Sequence, residues 1–512
     1  MVDTDNVTQN ETRDQPLTSK QLKIALLVIS LAQLIVVLDA TIVNIALPQI
    51  ARTFKFSEAN LQWIINGYAL AFGGLLLLGG KAGDVFGKRK MFMIGIGIFI
   101  TSSFLGGFAQ DQAWIITTRT LQGVGGAIAS PTALSLITTT FKQGPQRNKA
   151  MGAYAAMSGG GSAIGLLLGG ILTSYLSWRW VFFINVPIGL IVLILTPFAI
   201  HEPERSKSRL DFFGTLLSTG GVAMLVYGLS HAASTSWSSP VTYISLIIAA
   251  ILLFSFVVYE FVYKDPIIPV RILKNVTRVG TYLVMLTLGS ALFGMFYFLA
   301  QFIQEIMGYS PLKTGVAFLP VTLLIVVISG VTSKLVSKVN PRILITIGPA
   351  IVAIGLFLMS RISIHASYLN ILYPMTLMAV GMGLAFVPLT LTAIQNIEKS
   401  DAGIASALLN TTQQLGGSLG LAILVTVSSS YATSSINSYL TQHHLPSSSA
   451  SNSFAGTIPH IPFVQTAVTY GFTRAFIVAS GFALAAAVVA ITLLRTTKPE
   501  KFSLDDETVI IG

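Results

Sequence analysis

The sequence predicts an all-α integral membrane protein, and three observations carry that prediction. Of 512 residues, 53% are hydrophobic and only 10% charged, with a mean hydropathy of +0.74, whereas a soluble domain is about a quarter charged. The apolar residues gather into runs of roughly 20, the length that crosses a bilayer as a helix. Lys and Arg crowd into alternate linkers between those runs, which is the signature of loops held on the cytoplasmic side.

Taken in order, the runs lie near 22–48, 59–79, 91–109, 113–140, 150–175 and 181–200, then 211–231 and 240–262. Six more follow near 280–306, 313–336, 343–361, 368–392, 404–430 and 473–495. The chain therefore divides into a cytoplasmic tail (1–21), a six-span block (22–200), a linker (201–210) and two extra spans (211–262). A second linker (263–279), a second six-span block (280–495) and a cytoplasmic tail (496–512) complete it. An even number of spans puts both termini on one side, and the basic linkers make that side cytoplasmic. The segment 431–470, rich in Ser and Thr and carrying Pro446, Pro459 and Pro462, reads as an outer loop. Met1 to Lys20 is polar, so no cleavable signal peptide is expected.

Composition also excludes several chemistries. With no cysteine there are no disulfides, thiolate metal sites or cysteine nucleophiles. The net charge of +11 is explained by the cytoplasmic linkers and gives no reason to expect nucleic acid. The glycines from Gly159 to Gly170 lie inside a span with no strand before them, so they do not cradle a phosphate. His443, His444 and His460 match no metal-ligand spacing. No cofactor is expected, and nothing marks a nucleotide-hydrolysis motor, so work must come from an ion gradient.

Asp39 carries the most information. It sits in Leu38-Asp-Ala-Thr-Ile-Val-Asn-Ile-Ala-Leu-Pro48, inside the first apolar run. Acids at membrane depth are costly and mark ion pathways or buried partners. Arg119 lies in the fourth run. By the helical rise of about 1.5 Å per residue, the two occupy a comparable depth in the outer half of the bilayer. A guanidinium nearby favours the ionised carboxylate and desolvation disfavours it, so a rearrangement of the pair moves a proton on or off. The plain alternative is a static ion pair with a snorkelling arginine.

The two blocks of six echo one another weakly. Gly80-Lys-Ala-Gly-Asp84-Val-Phe-Gly87-Lys-Arg89 follows span 2, and Gly330-Val-Thr-Ser-Lys334-Leu-Val-Ser-Lys338 follows the matching span of the second block. Paired halves around a midplane site are a carrier pattern.

On these residues the chain resembles the major facilitator superfamily, and within it the fourteen-span drug:proton antiporter branch. The resemblance runs from about Lys20 to Arg495 and rests on Leu38–Pro48, Gly80–Lys90, Arg119–Gly126, Gly161–Gly170, Trp178–Pro187 and Gly308–Pro311. It implies two six-helix major facilitator bundles plus two extra central transmembrane helices, rocking between inward and outward openings. One departure stands in span 5: Leu166 follows Gly165 where the branch has proline.

The resemblance assigns proton coupling to Asp39 and Arg119, and a cytoplasmic latch to Gly80, Gly83, Asp84, Gly87 and Arg89. It places a close-packing glycine motif at Gly161, Gly165, Gly169 and Gly170. The residue types themselves suggest a substrate cavity lined by Asn44, Trp63, Tyr68, Tyr154, Asn410, Gln413 and Gln414, since aromatic faces and amides suit flat lipophilic cations. Each of these also has a structural reading, as interfacial anchor or interhelical glue. Glu305 is a second candidate acid, with an interfacial position as its plain reading. The expected protein is a monomeric, proton-coupled multidrug exporter of a bacterial inner membrane, its partners being amphiphilic drugs, protons and lipid. The rivals are an exporter or flippase of a native lipid or secondary metabolite on the same fold, and a transport-dead sensor or scaffold.

Overall fold

The computed structural model describes residues 18–142, 144–202, 211–235, 237–263, 268, 270–336, 338–395, 402–443 and 461–495. The tails expected at 1–21 and 496–512, most of the linker at 201–210, residues 264–267 and 269 of the linker at 263–279, and the loop residues 444–460 with His444 and His460 lie wholly or largely outside them. Among the described residues every regular element is helical.

The first half holds α1 (Ser19–Phe54), the short α2 (Glu58–Leu61), α3 (Trp63–Phe86), α4 (Lys88–Gly107), α5 (Gln112–Thr140) and α6 (Pro145–Tyr175). The short α7 (Trp180–Phe183) leads into α8 (Asn185–Ala199). The middle pair is α9 (Phe212–Ser234) and α10 (Pro240–Val262), followed by the short α11 (Val270–Leu273). Then come α12 (Val276–Gln301), a π-helical turn (Phe302–Ile306), α13 (Pro311–Leu335), α14 (Pro341–Met359), α15 (Tyr368–Ile394), α16 (Ala402–Gln442) and α17 (Pro462–Leu493).

Among the described residues, 12 helices are long and apolar enough to cross a membrane. The helices α5 and α6 have the length but a lower hydropathy, because Thr, Ser, Gly, Gln and Arg replace aliphatic residues along them. On α5, Thr118, Arg119, Gln122 and Thr132 are all buried. The protein is thus a multi-pass membrane protein. On α10 only 17% of the apolar window is buried, and Ile251, Phe254, Phe261 and Val262 stand exposed for lipid to cover.

Helix ends follow local chemistry. Thr18 and Gln21 form a capping box at the start of α1. The Asp111 carboxylate accepts the Trp114 N–H at 2.8 Å and so caps α5. Gly87 supplies the break between α3 and α4 with φ 110°, a conformation that disfavours any side chain.

The chain separates into two compact units. One comprises the described residues up to Phe56, Trp63–Gly220 and Ser310–Val316; the other comprises Ser57–Gln62, Gly221–Tyr309 and the described residues from Ala317 onward. In the first unit α5 packs on α3 and α4, and α1 packs on α6. In the second, α14 packs on α15 and α17, while α12 packs on α16 and α17.

The two units repeat one construction. In the first, a Cβ on Gly165 would lie 2.9 Å from Leu38 O, and one on Gly169 the same distance from Ile42 O. In the second, a Cβ on Gly416 would lie 2.1 Å from Leu286 O, and one on Gly420 would lie 2.3 Å from Ser290 Cα. In each unit, then, glycines four residues apart on the fifth span let it ride against the first. This echo is closer than the one between the cytoplasmic turns.

The expected outer loop at 431–470 needs correction. α16 continues to Gln442 and α17 begins at Pro462. Ala432, Ile436 and Leu440 are buried at helical spacing, so one face of this Ser-rich stretch has a core to join. Thr441 donates to Asn437 O of the same helix at 2.9 Å.

Candidate functional site

The first unit encloses a polar cluster built from five helices. α1 brings Asp39, α5 brings Arg119 and Gln122, α8 brings Asn185, α4 brings Ser103 and α3 brings Tyr68. Asp39, Gln122, Asn185 and Ser103 have no exposed surface, and Arg119 has 2%.

The Arg119 guanidinium donates from one terminal nitrogen to Asp39 Oδ2 at 2.5 Å and to Gln122 Oε1 at 2.8 Å. The other carboxylate oxygen accepts from Gln122 Nε2 at 2.8 Å and from Asn185 Nδ2 at 3.0 Å. Asn185 also donates to Ser103 Oγ at 3.1 Å, and Ser103 donates to Phe182 O at 2.8 Å. Arg119 Nε donates to Ile64 O at 3.2 Å. Its guanidinium carbon stands 4.5 Å above the centre of the Tyr68 ring, a desolvated cation–π contact. Tyr68 in turn stacks on Phe72.

Chemically this is a carboxylate held by one cation and two neutral amides. Removing the cation leaves an uncompensated buried charge, which costs about 3–5 kcal/mol. The amides of Gln122 and Asn185 hold the carboxylate in place beside its one cation.

Gln122 and Asn185 had not been picked out from the sequence, although both were in view. Gln122 lies one helical turn after Arg119 inside the Arg119–Gly126 run, and Asn185 lies in the Trp178–Pro187 run. A three-residue offset puts Gln122 on the face of Arg119; for Asn185, only the tertiary fold shows which side chain it meets.

The cytoplasmic turn holds two separate ion pairs. Asp84 at the end of α3 meets Lys88 at 3.2 Å. Arg89 meets Glu202, whose carboxylate also accepts the backbone N–H groups of Arg89 and Lys90 at 3.1 Å each. Glu202 thus caps α4, a role the sequence did not suggest. The caged turn explains two glycines: a Cβ on Gly87 would lie 2.7 Å from Glu202 Oε1, and one on Gly83 would lie 2.6 Å from Thr132 Cγ2. Gly80 has more room, with Pro131 Cβ at 3.4 Å.

In span 5, Gly161 faces Leu34 and Val37, Gly165 faces Thr41 and Leu38, and Gly170 faces Pro311 and Leu312. Leu166, in place of proline, is 2% exposed. A Cβ on Gly315 would lie 2.5 Å from its carbonyl oxygen, so this side of α6 is a packing surface too.

The residues expected to line a cavity lie on both units. Tyr68 belongs to the Asp39–Arg119 cluster. Trp63 is partly buried at the start of α3, and Tyr154 is partly buried on α6. Asn44 and Asn410 donate to carbonyls of their own helices, Ala40 O at 3.1 Å and Ser406 O at 3.2 Å. Asn410 is exposed, while Gln413 and Gln414 are partly buried. A Cβ on Gly289 of α12 would lie 2.6 Å from Gln413 O. Glu305 lies in the π-helical turn with 5% of its surface exposed, beside the buried Gln301 and Gln304. Such turns within helices gather at functional positions.

The described residues thus form a bundle of membrane-length helices with a buried ion pair in its first half. The sequence model for the Major Facilitator Superfamily matches residues 29–421. The chain belongs to that superfamily and is a transporter.

Among curated proteins it is 40% identical over 474 residues to the puromycin resistance protein of Streptomyces alboniger, covering 92% of this chain and 90% of that one. It is 38% identical over 427 residues to the cephamycin export protein of Amycolatopsis lactamdurans, with coverages of 82% and 87%. Among solved structures, an inward-facing bacterial homologue of the human lysosomal transporter Spinster superposes with a TM-score of 0.65 at 17% identity, covering 93% of this chain and 98% of that one. A D-xylose–proton symporter superposes with a TM-score of 0.60 at 15% identity, covering 93% and 98%. Those structures share the fold.

Proposed function

We propose that the protein exports lipophilic cationic or neutral antibiotics from a bacterial cell in exchange for protons, working by alternating access as a monomer. Its setting is the inner membrane, with both termini in the cytoplasm, as the distribution of Lys and Arg favours. The observation that carries the reading is the buried Asp39–Arg119 pair with its two amide supports. The names of the relatives, puromycin resistance and cephamycin export, supply the substrate class.

Asp39 takes a proton when Arg119 leaves it, and gives the proton up when Arg119 returns. Gln122 and Asn185 keep the carboxyl in place through both states. The turn holding Gly80, Gly83, Asp84, Gly87 and Arg89 serves as the cytoplasmic latch, with Glu202 anchoring its arginine. Gly161, Gly165 and Gly169 form the bearing on which α6 meets α1, and Gly170 lets α6 meet the start of α13. Trp63, Tyr154, Asn44, Asn410, Gln413 and Gln414 are the side chains offered to substrate, and Glu305 is a second acid on the path.

A second reading, export of one native secondary metabolite, is favoured by the relative that exports cephamycin. Drug accumulation in cells lacking their own exporters separates the two. Broad export lowers the accumulation of several unrelated lipophilic compounds, and Asp39→Asn restores it. Export of a single natural product, with no effect on the rest, supports the narrower reading. No change for any compound contradicts both.

A further inference from the structure

The short helix α2 carries an acid that the Asp39 cluster does not use. Glu58 follows the C-terminal end of α1 and lies within the unit that holds α12, α16 and α17. It is partly buried. Ser428 Oγ of α16 donates to its carboxylate at 3.0 Å. The Tyr297 hydroxyl of α12 donates to its backbone carbonyl at 3.4 Å. Both partners are fully buried.

These partners are held from behind. A Cβ on Gly471 of α17 would lie 2.5 Å from Ser428 O and 3.0 Å from Ser428 Oγ, so α17 closes directly on that serine. Tyr297 packs edge-on to Phe298, which packs on Phe472. Glu58 therefore enters a seat whose geometry is set by three long helices.

The charges around the seat are few. α16 has no charged residue between Ala402 and Gln442. α12 offers the Tyr297 phenol, and the next acid beyond it is Glu305 in the π-helical turn. On α17, Arg474 turns to the rings of Tyr431 and Tyr470 and donates to the Tyr470 hydroxyl at 2.7 Å. Lys55, three residues before Glu58, is exposed. Among the described residues no cation stands within ion-pair distance of Glu58.

We infer that Glu58, seated on Ser428, is a proton-binding site separate from Asp39. A carboxylate that leaves water needs a cation, several donors or a proton. Here the protein supplies one hydroxyl, and the remaining exposed surface lets water deliver and remove the proton. The neutral acid keeps the bond to Ser428 and holds α2 in its seat. Ionisation places an unbalanced charge there and loosens α2 from α12 and α16.

Infrared difference spectroscopy across a pH titration tests this on the full chain in lipid nanodiscs. It needs no substrate, so it stands or falls apart from the transport reading. Among the protonated-carboxyl bands that titrate in the native chain, one should vanish in Glu58→Gln and persist in Asp39→Asn. Ser428→Ala should move the same band to higher frequency, because its carboxyl loses a hydrogen bond. A set of titrating bands that Glu58→Gln leaves wholly unchanged overturns the inference. Should Glu58→Gln fail to fold, Ser428→Ala decides alone, and an unmoved band overturns it.

Discussion

Arg119 and Asp39 meet at 2.5 Å with neither side chain reaching solvent. The pair joins α1 to α5 at membrane depth, so its making and breaking is also a change in how two spans are tied. Three predictions bear on what the pair and its surroundings contribute.

Breaking the pair from one side should cost more than removing it whole. Asp39→Asn and Arg119→Gln each leave a misfit partner, and loss of one partner of a buried pair costs about 3–5 kcal/mol. The double variant leaves two neutral groups. Thermal unfolding in detergent should show the double variant less destabilised than the sum of the singles; simple additivity would mean the two do not interact.

Asn185 should matter for stability where Asn44 does not. Asn185→Ala strips buried donors from Asp39 and Ser103, at a cost of about 1–3 kcal/mol. Among the described residues Asn44 bonds only to Ala40 O of its own helix, and Asn44→Ala should stay within about 0.5 kcal/mol. The same unfolding assay compares them, and equal losses would remove Asn185 from its positioning role.

The glycines of span 5 should divide sharply. A Cβ on Gly165 would lie 2.1 Å from Thr41 Oγ1 and 2.9 Å from Leu38 O, so Gly165→Ala should cost about 1–3 kcal/mol by overpacking. Gly160 on the same helix has nothing within 4 Å. There Gly160→Ala should be neutral or gain up to about 1 kcal/mol from helix propensity. Matching losses at both positions would mean that α6 does not bear on α1.

Much of this was legible in the sequence, and the reasons are specific. Asp39 and Arg119 stood out because charge within an apolar run is rare, and the apolar runs gave the helices to within a few turns. Gly165 and Gly169 were legible as spacing, although the residues they touch were not. Glu202 was hidden because a carboxylate in a charged linker looks like any solvated acid. Residues 431–442 were misread because Ser and Thr dominate by number, while the buried stripe Ala432–Ile436–Leu440 is carried by three residues. Glu58 was passed over because it precedes its span by a single turn, and only the fold shows that Ser428, 370 positions away, meets its carboxylate.

The central claim is that Asp39 couples proton movement to export. The most direct test places purified protein in liposomes under an imposed pH gradient, adds lipophilic cations and neutral antibiotics, and follows internal pH. The account predicts compound-driven proton flux in the native chain and none in Asp39→Asn, with compound binding retained. Flux that persists undiminished in Asp39→Asn would contradict it.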